Sequence, residues 1–448
     1  MNDKILIANR GEIAVRILRA CHELGLRCVV VYSEADKNSL TVRLADEAVC
    51  IGPAPASESY LRVDRILSAA VLTGATAVHP GYGFLAENAH FAELCTECGL
   101  TFIGPSAEAI RKMGNKTTAR KLMTDVGVPV TPGSNDVLSG LQEAYDCAEK
   151  LGYPVILKAA AGGGGRGMRI VQCFKCMENA FKAAQSEAEK AFGNGTLFME
   201  KFTLNPKHVE VQIFADNCGN VVHLGERDCS LQRHHQKLVE ESPCIWLDDS
   251  LRNEICATAV KAAQAIGYRG VGTVEYLVDA EGHYYFMEMN TRIQVEHTVS
   301  EMVSGMDLVA LQIRVALGDK IAVTQDMISL KGHAIEARIN AEDAARDFSP
   351  MPGHISFYAA PGGPGVRMDS HIFAGYDVPP FYDSLLGKLI VHAPTRTEAL
   401  ARMRRALGEL IIEGVPTTRD FTLRLLDSDL FIHGDYTTTT IESLLASQ

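Results

Sequence analysis

The sequence has a single tryptophan and no surplus of positive charge. Its 43 lysines and arginines face 55 aspartates and glutamates, a net charge of −12. That balance argues against a nucleic-acid or anionic-membrane partner. No apolar run is long enough to span a bilayer, and the opening MNDKILIANRGE lacks a signal-peptide core, so a cytoplasmic setting is expected. Zinc-ribbon spacing is also missing. The 12 cysteines include two C-x-x-C pairs, Cys95/Cys98 and Cys173/Cys176. A ribbon needs its second pair within about 15–20 residues, and these lie much farther apart. Each pair falls in a helix-like stretch, so chance spacing of free thiols is the reading. No G-x-x-x-x-G-K-[ST] occurs, which excludes a P-loop.

What is present is a chain of 448 residues, 47% apolar and 22% charged, enough for a globular protein of several domains. KILIA, CVVVYSEAD, ATAVH and TFIGP read as buried strands. They alternate with helical stretches such as EIAVRILRACHEL, where Ile13, Ile17, Leu18, Cys21 and Leu24 share a face. This predicts a doubly wound α/β domain over 1–112 with a parallel sheet. A linker helix is expected over 113–130 and a small α+β unit over 131–202. KHVEVQIFAD, VVHLGERD, GTVEYLVDA and HYYFMEMN alternate with period 2 and predict an antiparallel sheet within 203–330. Short strands and the helix RTEALARMRRALGELI make up 331–448. The fold class is thus α/β and α+β, multidomain.

Lys158–Met168, KAAAGGGGRGM, puts four glycines in a row. Gly162, Gly164 and Gly167 fit a dinucleotide fingerprint, but a strand-like segment follows where that fingerprint needs a helix. Gly81, Gly83 and Ala86 also fit, yet not in the first βα turn, so a tight turn is the plainer reading. For the four-glycine run, an ordinary hairpin loop competes with an anion-binding lid. Bare N–H groups beside Lys158 favour the lid.

The strongest chemistry is GTVEYLVDAEGHYYFMEMNTRIQVEH. On this hairpin Glu275 and Glu288 oppose each other, where like charges repel. Asn290 follows on the same side, as does Phe286, leaving Met287 and Met289 on the other. Two carboxylates and an amide oxygen suit Mg²⁺ bridging to phosphates, and a solvated polar face is the alternative. Extended spacing carried onward projects Arg292, Gln294 and Glu296 from that side, an anion clamp with Glu296 as base. His208, Glu210 and Gln212 share another polar face. Gln232, Arg233, His234, His235, Gln236 and Lys237 show little helical periodicity and read as a cleft-lining loop or a solvated run.

IANRGEIAVRILRA, HPGYGFLAENA, GGGGRGM, ERDCSLQRHHQKLVEE and EMNTRIQVEHTVSEM together resemble the biotin carboxylases, from about Lys4 to His433. The resemblance implies an ATP-grasp fold: a doubly wound N-terminal domain, a glycine-rich lid and a C-terminal antiparallel-sheet domain. It implies that Lys116 and Lys158 contact ATP phosphates under Gly163, Gly164, Gly165 and Met168. Glu200, Lys201, His208, Gln232 and His235 line the nucleotide site, with Leu277 and Met287 under the adenine. Glu275, Glu288 and Asn290 match ligands of Mg²⁺, or Mn²⁺ in its place. Lys237, Arg292, Gln294, Val295 and Glu296 match a bicarbonate site, and Arg338 with Tyr82 a biotin site. The implied partners are a separate biotin carboxyl carrier protein, carboxyltransferase subunits and a second copy in a homodimer. The implied context is acetyl-CoA carboxylase and fatty-acid synthesis. Ala161 departs from the family's five-glycine run, Thr437–Thr440 replaces an apolar position, and no Ala-Met-Lys-Met biotinylation segment occurs. Another ATP-grasp ligase, or a nucleotide-sensing regulator, is the competing reading.

Overall fold

The computed structural model describes residues 3–134, 136–160, 167–320 and 323–446. Five parallel strands open the chain: β1 (Lys4–Ile7), β2 (Arg27–Ser33), β3 (Glu47–Gly52), β4 (Ala77–His79) and β5 (Thr101–Phe102), in the order β3-β2-β1-β4-β5. The helix Gly11–Glu23 buries Ile13, Ile17, Leu18 and Cys21 on that sheet, as their spacing predicts, and Leu24 packs at the margin. Asn9, in the turn after β1, donates to the carbonyls of Pro80 and Tyr82, both at 2.7 Å. Two loops at the C-terminal edge of the sheet are thereby tied together, and Tyr82 is held there.

A small unit follows. Strands β6 (Val155–Ala159), β7 (Arg169–Val171) and β8 (Leu197–Lys201) form an antiparallel sheet in the order β7-β6-β8. The helices Leu141–Leu151 and Met177–Phe192 cover it, and the unit has its own apolar core around Leu157, Phe181 and Met199. Gly163, Gly164 and Gly165, with Ala161, lie outside the described residues.

The rest is organised by one eight-stranded antiparallel sheet. It contains β9 (Lys207–Ala215), β10 (Val221–Arg233), β11 (Gln236–Ser242), β12 (Gly270–Val278), β13 (Tyr284–Asn290) and β14 (His333–Asn340). The strands Leu385–Ala393 and Val366–Ser370 complete it, in the order β13-β12-β9-β10-β11-β14 and then those two. Helix Asp249–Ala265 packs on one end through Val209, Val211, Val274 and Tyr276. Helix Arg396–Glu409 packs farther along through Val239, Ile335, Ala337 and Leu389. The alternation of apolar residues on these strands is what buries that face and turns polar residues to the other.

Two expectations fail here. ERDCSLQRHHQKLVEE is no loop: it is the β10–β11 hairpin, turning at His234 and His235 with φ of 47° and 65°. A type I′ two-residue hairpin turn has positive φ at both residues, and the glycine that usually signals it is missing. On β13, Phe286 does not share the face of Glu288. The register slips between Glu275 and Tyr276, so Phe286 pairs with Tyr276 and Met287 is the extra residue. This bulge sends Phe286 and Met289 into the core while Glu288 and Asn290 stay on the polar side.

Gly272 on β12 has no room for a side chain, because a Cβ there would lie 2.6 Å from the ring of buried Tyr268. Gly272→Ala is expected to cost about 1–3 kcal/mol and lower the melting temperature by several degrees. An unchanged melting curve would show that the ring yields freely.

Candidate active site

On the polar face, register brings four charged residues into one row across adjacent strands. Arg227 of β10 opposes Glu210 of β9, Glu210 opposes Glu275 of β12, and Glu275 opposes Glu288 of β13. Three neighbouring carboxylates repel one another and need cations. Arg227, fully buried, supplies one. It donates to Glu210 Oε1 at 2.7 Å, Gln212 Oε1 at 2.6 Å, Ser300 Oγ at 2.9 Å, Thr273 Oγ1 at 3.2 Å and Gln294 Oε1 at 2.8 Å. The Lys237 ammonium supplies the other, reaching Glu210 at 2.5 Å, Glu275 at 3.2 Å and Glu296 at 2.5 Å. Burial opposes its charge, but these carboxylates outweigh burial and raise its pKa well above the usual lysine value.

The row ends unbalanced. Glu275 accepts from Lys237, from Asn290 Nδ2 at 2.8 Å and from Gln294 Nε2 at 2.7 Å. His208 Nε2 lies 3.0 Å from its other oxygen, off the line of a hydrogen bond. Burial raises the Glu275 pKa, but Lys237 and His208 outweigh it and hold the group ionised. Glu288 is pushed the other way, by burial first and then by Glu275, with Lys116 offsetting only part. Among the described residues no hydrogen bond or ion pair reaches its carboxylate. Two opposed carboxylates, one of them uncompensated, with an amide beside them, fit a divalent cation with oxygen ligands. The Asn290 oxygen is turned to Arg292 Nη2 at 3.0 Å.

The extended spacing expected beyond Asn290 does not continue. The strand ends there, Thr291–Val295 turns, and Glu296 precedes the helix His297–Ser304. Lys388 Nζ donates to the Val295 carbonyl at 2.6 Å and fixes the turn. Glu296 then sits between Lys237 and Arg338, whose Nη2 lies 2.9 Å from its second oxygen. Burial raises its pKa, but Lys237, Arg338 and Arg227 outweigh that and take it well below the usual carboxylate range. Arg292 instead faces Glu87, at 2.8 Å, from the loop after β4.

Lys158 of β6 meets Glu200 of β8 at 2.5 Å, and Arg120 meets the other Glu200 oxygen at 2.8 Å. Lys201 donates to the carbonyls of Gly152 and Tyr153, at 3.0 and 3.2 Å, at the foot of the small unit. Lys116 starts the helix Lys116–Asp125, whose cap is Asn115, and Met168 is half-buried beside β7. Leu277 pairs with His208, and Leu277 and Met287 are both half-buried outside the apolar core. Gln232 pairs with Lys237 across β10–β11, while His235 is exposed in the turn. Tyr82 donates to Glu12, which Lys388 also meets at 3.2 Å. The threonine run leads into the helix Thr440–Ala446: Thr437 N–H donates to Thr440 Oγ1 at 2.8 Å, and Thr439 donates to Asn205. Arg227, Glu87 and Glu240 escaped the sequence reading. Period 2 along GERD, laid against HVEVQ, was the available signal for Arg227.

Glu240 accepts from Arg338 Nε at 2.6 Å. Burial, with Glu296 adding to it, pushes its carboxyl up from 4.5 to about 7 despite Arg338. The folded state therefore holds this proton more tightly than the unfolded chain does. The stability so gained is complete below about pH 4.5 and is lost as pH rises through about 7. Glu240→Gln, compared with the native protein, should gain in relative melting temperature between about pH 5 and about pH 8, the window of that titration. A difference that does not vary with pH contradicts the assignment.

Three family models match the chain. The biotin carboxylase N-terminal domain matches residues 1–110, the carbamoyl-phosphate synthase L chain ATP-binding domain 115–324, and the biotin carboxylase C-terminal domain 336–443. A biotin carboxylase of Nostoc sp. is 55% identical over 99% of both chains. A pyruvate carboxylase subunit from Methanothermobacter thermautotrophicus is 52% identical, over 97% of this chain and 88% of its own. Among solved structures, a Campylobacter jejuni biotin carboxylase in complex with a β-γ-ATP ligand superposes with TM-score 0.96 at 52% identity, covering 98% of each chain. The biotin carboxylase domain of a Hydrogenobacter thermophilus 2-oxoglutarate carboxylase, a dimer with MgADP, ADP and bicarbonate, superposes at 0.94 and 48% identity, over 98% of this chain and 97% of that one. No helix among the described residues is long and apolar enough to cross a membrane. With this coverage, the chain belongs to the biotin carboxylases, ATP-dependent ligases of the ATP-grasp fold.

Proposed function

We propose that this protein carboxylates biotin on a separate carrier protein, consuming ATP and bicarbonate. The observation that supports it most is Glu296 held between Lys237 and Arg338 at the end of the carboxylate row. We assign ATP to a cleft bordered by Leu277, Met287 and His208, with its phosphates towards Lys116 and Lys158. Glu275 and Glu288, with Asn290 beside them, would hold a divalent ion, which would supply positive charge for the phosphate oxygens.

Bicarbonate is an anion, and Lys237, Arg292 and Gln294, with the fixed Val295 turn, offer it donors. Glu296 is the base. Paired with two cations its carboxylate is a weak base, which mismatches the role. An arriving anion resolves this. It draws Lys237 and Arg338 onto itself and sets a second negative charge beside Glu296, and both effects raise the affinity of Glu296 for a proton. The deprotonated anion attacks the γ-phosphate of ATP, giving carboxyphosphate and ADP, and carboxyphosphate releases CO₂ and phosphate. That phosphate takes the ureido proton of biotin, Arg338 stabilises the enolate oxygen near Tyr82, and N1′ of biotin captures CO₂. Closure of the small unit over the cleft excludes water from the intermediate.

We place the reaction at the first step of acetyl-CoA carboxylation, with a carboxyltransferase downstream, a homodimeric state and a cytoplasmic setting. All 12 cysteines are free thiols, which supports a reducing compartment. The pyruvate and 2-oxoglutarate carboxylase relatives support a second reading, in which the carboxyl group goes to a 2-oxoacid.

The test is ATP turnover with and without bicarbonate and free biotin. We expect turnover that depends on bicarbonate, and turnover indifferent to it sinks the proposal. Glu296→Gln should leave nucleotide binding intact and cut turnover by roughly 10²–10⁴-fold. Near-native turnover in that variant removes Glu296 from the base role.

A further inference from the structure

A second cluster of chemistry lies at the other end of the N-terminal sheet. His22 is in the last turn of the helix Gly11–Glu23, Cys28 follows the first residue of β2, and Asp46 immediately precedes β3. These positions are at the N-terminal ends of the parallel strands, since Ile5 pairs with Cys28 and Val29 with Glu47. The Asn9 turn and the loop holding Tyr82 lie at the opposite, C-terminal ends. The cluster is therefore separate from the cleft described above.

The geometry is specific. His22 Nε2 lies 3.3 Å from Asp46 Oδ2 and 3.6 Å from Cys28 Sγ, and the three atoms all lie within 4.8 Å of one another. A single imidazole nitrogen faces both partners. That excludes a nucleophile–histidine–acid relay, which needs the two ring nitrogens to face different groups. It matches shared coordination. With bonds of about 2.05 Å to nitrogen, 2.3 Å to sulfur and 2.0 Å to oxygen, tetrahedral zinc sets its ligands about 3.3 Å apart for N and O and about 3.6 Å for N and S. We propose that His22, Cys28 and Asp46 form a three-ligand nitrogen–sulfur–oxygen site for a divalent ion of the zinc class, with water in the fourth position.

The surroundings supply what such a site requires. The Cys28 backbone N–H donates to Asp46 Oδ2 at 2.8 Å, so the strand that carries the sulfur also orients the carboxylate. The His22 and Asp46 side chains are 42% and 39% exposed, which leaves an entry path, while Cys28 is buried and packed on the sheet. Binding forms a metal–thiolate bond and releases the thiol proton to solvent, so affinity rises with pH.

The experiment uses the full-length protein, stripped of metal and titrated with Co(II). We expect one equivalent to bind with sulfur-to-metal charge-transfer absorption that Zn(II) displaces. His22→Gln, an exposed change that spares the core, and Cys28→Ser should each abolish that absorption and weaken Zn(II) binding by more than about 10-fold. His22→Gln should keep native ATP turnover. The absorption should persist in Glu275→Gln and in the doubly substituted Cys173→Ser/Cys176→Ser protein, whose thiols lie 3.3 Å apart on the surface of the small unit. No thiolate absorption in the native protein overturns the proposal. So does a signal that survives His22→Gln, or one that disappears with the Cys173/Cys176 pair.

Discussion

One buried ammonium holds this structure's chemistry together. Lys237 touches Glu210, Glu275 and Glu296, which come from β9, from β12 and from the turn that follows β13. Without a cation at that point the register of the sheet would set carboxylates against carboxylates in a low-dielectric layer. A buried charge left without its partner typically costs about 3–5 kcal/mol. The fold tolerates this row because Arg227 and Lys237 are built into the same sheet. The apolar faces of β9 and β12, packed on the helix Asp249–Ala265, fix where those cations sit.

The same arrangement explains how the ends of the row differ. Glu275 has Lys237, His208 and a pair of amides beside it, and stays ionised. Glu288, one strand farther out, is pushed up by burial and by Glu275, and Lys116 offsets only part of this. A pair of like groups pushed apart in this way is the signature of a working site. Glu296 marks the other limit: its two cations make it a poor base until a substrate anion competes for them. Binding and basicity are therefore linked, so the base gains strength only when there is something to deprotonate.

Much of this was legible in the sequence because β-strands have period 2. Alternation in KHVEVQIF assigns His208, Glu210 and Gln212 to one face of their strand, and the pairing of β9 with β12 sets that face beside Glu275. The parallel N-terminal sheet was legible from alternating strand and helix patterns. The failures have physical causes. A bulge costs one residue of register and leaves no residue-type signal, so Phe286 was placed on the wrong side. The β10–β11 turn runs through two histidines at positive φ instead of Asn-Gly, which disguised a long hairpin as a loop. Arg227 was passed over because its partners lie 15 to 73 positions away in the chain, and only pairing between strands brings them together.

The most direct test of this account is the pH dependence of the melting temperature of Lys237→Met against the native protein. With the shared ammonium removed, the variant should be strongly destabilised at about pH 8. The deficit should shrink as the pH falls towards about 5, because a proton on Glu275 or Glu296 then replaces the missing positive charge. A deficit of the same size at every pH, or none at all, would contradict the claim that one lysine balances these carboxylates.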